Sequence, residues 1–515
     1  MSLLRNFSVV SGTTLLSRLL GLVRDILFFS ILGTSVIGEA FLLAFTLPNL
    51  FRRMLGEGTL SSAFIPVFSN SQKSNDSITQ WALLNQVLSR LFLFLGILSI
   101  MVGIFSLFAY QNNFFERPKW HVANFFNGIT FFYVIFICAS AILVGALNVK
   151  KSFWAGALSP VILNCSMIIT LFVAGFLYNL NFKTCALFLS VSVVVAGILQ
   201  FLLPWYELKR RFHWKWRFTL GNSKELSEVG SLFWVGVFGA AIAQLNILVS
   251  RLLAFQLEDQ GSVSYLYISA RLIELPLGIF AIALSTILFP RLSKSIGDRN
   301  MKEYKSSFYS GLRIILMLSI PSSIGLFLVG DLVIKLLFEW KEFGGENVYM
   351  AGHILGVVAW SVPFYALSTF IVKSFHSQKN MTIPLKAALV SFIINLLASI
   401  LLMQHFGVVG LAWANLLAAF FQLFYLCLKN NELSVYSFLS NTQLCGLKIL
   451  FASLSMYSIV AWSKSLTQLG ESKLHIFGQL TSIVLIGVIS YLLILSLLKF
   501  PLMDGKPLLF RINRK

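Results

Sequence analysis

The sequence predicts an all-α polytopic membrane protein with about fourteen transmembrane helices. Composition points there first, because 57% of the 515 residues are hydrophobic and 12% are charged, against roughly a quarter charged in soluble chains. Apolar stretches of about 20 residues also recur from end to end, each long enough to cross roughly 30 Å of hydrocarbon as a helix. The stretches lack period-2 alternation, which argues against an outer-membrane barrel.

The N-terminus has a positive start at Arg5, but in the first stretch, 7–32, Arg18, Arg24 and Asp25 interrupt the apolar run and no small-x-small cleavage pattern follows, so a retained span is expected. The second, 36–57, ends in PNLFRRMLGEGTLSS, where Pro48, Gly56 and Gly58 weaken regular helix. Spans three to six fall at 86–110, 123–147, 154–178 and 184–206, each bounded by polar residues. A basic stretch, 207–227, separates them from spans seven and eight at 228–254 and 262–290. Spans nine to twelve follow at 308–329, 348–373, 383–403 and 407–428, and the last two at 444–464 and 475–498.

Internal similarity divides the chain. SSAFIPVFS (61–69) recurs as STILFPRLS (285–293), ALSPVILN (157–164) as ALVSFIIN (388–395), and VVVAGILQFLLP (193–204) as NLLAAFFQLFYL (415–426). The matches keep their order and lie 222 to 231 residues apart, as expected of two parallel six-span repeats. The expected organisation is an N-terminal lobe at 1–206, a cytoplasmic linker at 207–227, a C-terminal lobe at 228–428, and an appended helix pair with a tail at 429–515.

An even number of spans places both termini on one side of the membrane. Lys and Arg crowd alternate loops, including Lys150, Lys151, Lys209, Arg210, Arg211, Lys294 and Arg299, so the positive-inside rule puts both termini in the cytoplasm. The same pattern accounts for the net charge of +20, with anionic headgroups rather than nucleic acid as the counterpart. RFHWKWRF (211–218), on the basic linker, reads as a membrane-surface anchor.

Charges within the apolar runs carry the functional signal. Arg18 lies about 15 Å and Arg24 about 25 Å along the first span at 1.5 Å per residue. A charge at the midplane costs at least about 2.5 to 3.5 kcal/mol and usually faces a cavity or a partner. Asp25 is a candidate internal partner for both, and Arg24 can also snorkel. On the second span Arg52 and Arg53 are adjacent, so one can reach headgroups while the other turns inward, with Glu57 nearby. In the eighth, Arg271 is about 15 Å deep with Glu274 one turn on, just before Pro276 and Gly278. Arg18, Arg24, Arg52 and Arg271 are therefore the candidate binding residues. Guanidinium groups suit phosphate oxygens, so a phosphate or diphosphate headgroup is the natural guest.

SRLLGLVRD (17–25), AFTLPNLFRRMLGEGTLSSAFIPVFS (44–69) and ARLIELPLGIFAIALSTILFPRLS (270–293) together resemble the MurJ (MviN) family of bacterial lipid II flippases. The resemblance runs over essentially the whole chain. It implies the multidrug/oligosaccharidyl-lipid/polysaccharide exporter superfamily, with two six-helix lobes around a central cavity and two further C-terminal helices forming a groove for the lipid tail. It also implies outward transport of lipid II across the bacterial cytoplasmic membrane by alternating access, with Arg18, Arg24, Arg52 and Arg271 at the diphosphate or the sugar-peptide headgroup. Asp25, Glu39, Arg53, Glu57 and Glu274 are the expected supporting or gating residues. Glu39 stands where the family usually has an aspartate, and Ala270 where some relatives have an acid.

The expected partners are lipid II, bilayer lipids and peptidoglycan-synthesis proteins, with the chain itself a monomer. No cofactor, metal or catalytic residue is expected. Coupling to membrane potential, H⁺ or Na⁺ is open. Some family members bind sodium through carboxylates in spans seven and eleven, where this chain offers neutral Asn246 and Asn395, so potential is favoured over sodium. A GxxxxGK[ST] loop is absent, which argues against ATP hydrolysis. The five cysteines show no CxxC, and the six histidines no HExxH. A flippase for another polyprenyl-diphosphate oligosaccharide, a small-molecule exporter of the same superfamily, and a non-transporting scaffold are the alternatives. An acid-rich cavity would favour a drug exporter, and the arginines oppose it.

Overall fold

The computed structural model of the chain describes residues 3–73, 77–430, 435–466 and 472–501. Among the described residues the chain is helical with no β-strand. Water is absent from the bilayer core, so every backbone group there needs a partner within the protein, and helices supply it locally.

Two compact units make up the chain: Met1–Val263 with Trp340–Phe343, and Ser264–Glu339 with Gly344–Lys515. The first holds α1 (Leu3–Leu32), α2 (Val36–Phe51), a π-helical segment (Arg52–Thr59), α3 (Leu60–Lys73), α4 (Ser77–Gln111), α5 (Pro118–Thr130), α6 (Tyr133–Val149), α7 (Trp154–Leu171), a second π-helical segment (Phe172–Leu177), α8 (Phe182–Phe212) and α9 (Lys224–Gln256). Phe64, Phe68, Leu84, Leu88, Leu143 and Leu147 are buried together where α3, α4 and α6 meet. Helix α9 packs on α2, the first π-helical segment and α3.

The basic stretch leading to α9 is laid along α4. Trp214 is buried and its Nε1 donates to Asn85 Oδ1 at 3.1 Å. The Thr219 amide donates to Ser89 Oγ at 3.0 Å, and Arg90 Nη2 donates to Asn222 Oδ1 at 2.7 Å. The stretch read from sequence as a membrane-surface anchor is fastened to α4, whose side chains form hydrogen bonds with it.

The second unit holds α10 (Ser262–Pro276) apart from its first two residues, which belong to the first unit, then a third π-helical segment (Leu277–Ile282), α11 (Ala283–Gly297), α12 (Met301–Phe338), α13 (Gly345–Ala359), α14 (Val362–Ser377), α15 (Thr382–Lys429), α16 (Val435–Leu466) and α17 (Lys473–Leu497). Phe308 of α12 stacks on Phe370 of α14 at 5.6 Å. Gly311 allows that approach, since a Cβ there would lie 2.4 Å from the Phe370 ring. Helix α12 also packs on α16 and α17, where Tyr491 Oη donates to the Met317 carbonyl at 2.7 Å.

Among the described residues nine helices are long and apolar enough to cross a membrane, or ten if α13 and α14, bent by 43°, are one span. The sequence suggested about fourteen. Part of the gap has a physical origin. Thr382–Lys429 is a single run in that count, yet Gly407 breaks it with φ 54° and ψ −134°. The chain turns back there, because a Cβ on Gly410 would sit 2.3 Å from the Leu402 carbonyl oxygen. Helices α1 and α2, which carry the candidate charges, are outside the count.

Candidate functional site

Arg24 is held on α1 by two neighbours. Its Nη2 and Nε donate to Asp25 Oδ1 at 2.6 and 3.0 Å, and its Nη1 donates to Asn164 Oδ1 at 3.1 Å. The Asn164 amide in turn donates to the Ser17 carbonyl at 3.0 Å, so this one residue of α7 grips α1 at two levels. The side chains of Arg24 and Asp25 are 12% and 4% exposed. A pair this buried is tolerated because its hydrogen bonds are made, and losing either member strands the other charge. Arg18, two turns earlier on α1, is exposed.

Pro48 organises α2. Proline has no N–H and crowds the carbonyl four residues back, so the Ala44 carbonyl is released from the helix. Thr130 Oγ1 of α5 approaches that carbonyl at 3.3 Å. Beyond Pro48 the chain widens into the π-helical segment that starts at Arg52. Asn49 Oδ1 accepts from Arg52 Nε at 3.0 Å, which fixes that guanidinium on the helix surface. Arg53 is half-buried, and the side chain of Glu57 lies outside the described residues.

The second unit repeats the device. Pro276 ends α10, the π-helical segment Leu277–Ile282 follows, and Pro290 lies in α11 as Pro66 lies in α3. Arg271 Nη1 contacts Glu274 Oε2 at 3.2 Å, with side chains 34% and 52% exposed. Such π-bulges are rare and concentrate at functional sites. Here they follow the candidate arginine in the second unit and contain Arg52 in the first.

Glu39 is buried in the first turn of α2, and its Oε1 accepts from the Val263 amide at 2.6 Å. Val263 is in the first turn of α10, so the carboxylate satisfies a helix N-terminal donor and complements the helix dipole. The preceding helix end is capped by opposite charge. Arg117 Nη1 donates to the Gln256 carbonyl at 2.8 Å, and Lys119 donates to the Leu257 carbonyl. Trp120 meets Phe255 edge-on at 4.9 Å.

Of the candidates read from sequence, Arg18, Arg24, Asp25, Glu39, Arg52 and Arg53 lie in the first unit, and Arg271 and Glu274 in the second. Residues that sequence reasoning passed over are Asn164, Asn49 and Thr46, which position guanidinium groups, and Arg251 of α9. Arg251 Nη1 donates to Thr46 Oγ1 at 2.6 Å. Ser250–Leu253 repeats the Ser17–Leu20 tetrapeptide Ser-Arg-Leu-Leu, a signal that would have found it. Among the described residues no three His, Cys, Asp or Glu side chains are grouped as a metal would require.

A sequence model described as Lipid II flippase MurJ matches residues 28–481. The chain belongs to the MurJ lipid II flippase family. These proteins are named as transporters, not enzymes. A relative named probable lipid II flippase MurJ from Buchnera aphidicola subsp. Acyrthosiphon pisum is 32% identical, over 89% of this chain and 92% of its own. One of the same name from Vibrio cholerae is 28% identical over 98% of both. The solved structure of a lipid II flippase MurJ in an inward closed conformation aligns with TM-score 0.79 at 27% identity, covering 95% of this chain and 98% of that one. An inward-facing MATE family transporter of the MOP superfamily aligns with TM-score 0.66 at 11% identity, over 84% of this chain and 95% of that one, and so shares the fold.

Proposed function

We propose that this chain carries lipid II, an undecaprenyl-diphosphate-linked disaccharide-pentapeptide, from the inner to the outer leaflet of the bacterial cytoplasmic membrane by alternating access. Both termini face the cytoplasm. Arg18, Arg24, Arg52 and Arg271 bind the diphosphate and adjoining headgroup while the polyprenyl tail stays in lipid. The carrying observation is Arg24, an arginine inside an apolar helix that Asp25 and Asn164 hold in one orientation. A guanidinium fixed in this way meets phosphate oxygens without first losing rotamer freedom. Drive comes from the membrane potential.

The test is depletion in the native cell, with lipid II on each leaflet measured. Accumulation on the inner face, reversed by the wild-type chain and not by Arg24→Ala or Arg271→Ala, is the expected result. Normal outward appearance of lipid II in depleted cells, in a strain without a second flippase, would sink the proposal. A polyprenyl-diphosphate oligosaccharide accumulating instead would reassign the cargo.

A further inference from the structure

We infer that Arg251 of α9 is a further anion-binding residue, acting beside Arg52 on the same phosphate-bearing headgroup; this rests on the function proposed above. Two independent observations lead to it. The first is the repeat: at the 222- to 231-residue offset of the other repeated segments, Arg251 falls opposite 20–29 of α1, the stretch that carries Arg24. Arg251 is thereby the second repeat's counterpart of the Arg24 stretch of α1.

The second is the polar face of α2. Thr46 and Asn49 are three residues apart, neighbours on one helix face about 4.5 Å apart along the axis. Each is bonded to a guanidinium: Thr46 Oγ1 accepts from Arg251 and Asn49 Oδ1 from Arg52. Helix α9 runs against both α2 and the π-helical segment that begins at Arg52. One arginine from α9 and one from the turn that continues α2 are thus fastened to neighbouring polar residues of α2. Thr46 itself donates to the Leu42 carbonyl at 2.7 Å, which leaves its oxygen facing Arg251 as acceptor. Thr46 is therefore a positioning residue and Arg251 the binding one.

The experiment titrates the purified full-length chain in detergent with a fluorescent polyprenyl diphosphate at several salt concentrations. Arg251→Gln keeps a donor for Thr46 and removes the charge. It is expected to weaken binding about tenfold and flatten its salt dependence, as for loss of one charge-assisted contact. Thr46→Val keeps the charge and releases its anchor, with an expected loss of about threefold. A purely structural strut predicts a lowered thermal midpoint in both variants with unchanged affinity of the folded protein, and that result overturns the inference. Unchanged binding by Arg251→Gln alongside weakened binding by Arg24→Ala removes Arg251 and leaves the proposed function standing. Unchanged binding in Arg24→Ala, Arg52→Ala and Arg251→Gln together overturns both.

Discussion

Asn164 and Arg24 are joined across 140 residues of sequence, with the asparagine Oδ1 accepting from Nη1 at 3.1 Å. The asparagine does this without adding a second negative charge to that of Asp25, which already pairs with Arg24. Asn164→Leu should destabilise the protein by about 1.5 to 3 kcal/mol, the range for a lost hydrogen bond to a charged group. Asn164→Asp should fold, yet lower affinity for a polyprenyl diphosphate, because a second carboxylate then neutralises Arg24. Thermal midpoints with binding titrations separate the two. An aspartate variant that binds as tightly as the wild type would count against Arg24 as an anion site.

Glu39 makes a related but distinct contact, a carboxylate on the Val263 amide. Glu39→Ala leaves that amide without its acceptor and should cost about 1 to 3 kcal/mol. Glu39→Gln keeps an acceptor and loses only the charge–dipole part, about 0.3 to 1 kcal/mol. Equal thermal midpoints for the two variants would mean that the cap does not support α10.

Much of this was legible from sequence, for reasons particular residues make plain. Arg18, Arg24 and Arg271 stand out because a charge in an apolar run is costly, and cost is visible in composition. Asn164, Asn49 and Thr46 are not visible in that way. Small neutral polar residues barely change the hydropathy of a span, and their partners are set by packing. Pro48 and Pro276 signalled weakened helix, but proline alone does not say whether the chain kinks, breaks or widens into a π-helical turn. Arg251 lies five residues before the end of α9, where snorkelling is the simplest account of an arginine, and only its place in the repeat, opposite the Arg24 stretch of α1, marks it out.

Pro48 and Thr130 should behave as a coupled pair. Thr130→Val removes the hydroxyl that approaches the Ala44 carbonyl, at an expected cost of about 1 kcal/mol. In a Pro48→Ala background the backbone N–H of residue 48 can bond the same carbonyl, so the threonine becomes dispensable. A double-mutant cycle on thermal stability is expected to show coupling of about 0.5 to 1 kcal/mol. Additive losses would mean that the hydroxyl does not compensate the proline.

Arg271 offers the clearest separation of function from stability. Its contact with Glu274 is an i,i+3 pair with both side chains substantially exposed, so replacing either should change stability by less than about 1 kcal/mol. An anion site predicts opposite functional signs for the two. Arg271→Ala removes a cation and should abolish or sharply reduce outward lipid II transport. Glu274→Gln removes a competing carboxylate, so transport should be retained and polyprenyl diphosphate should bind at least as tightly. Were the pair only a strut, both variants would lose activity together, and restoring the pair in reverse as Arg271→Glu with Glu274→Arg would recover it. Transport by the single variants and the reversed pair, measured at matched expression, decides which of the two roles Arg271 has.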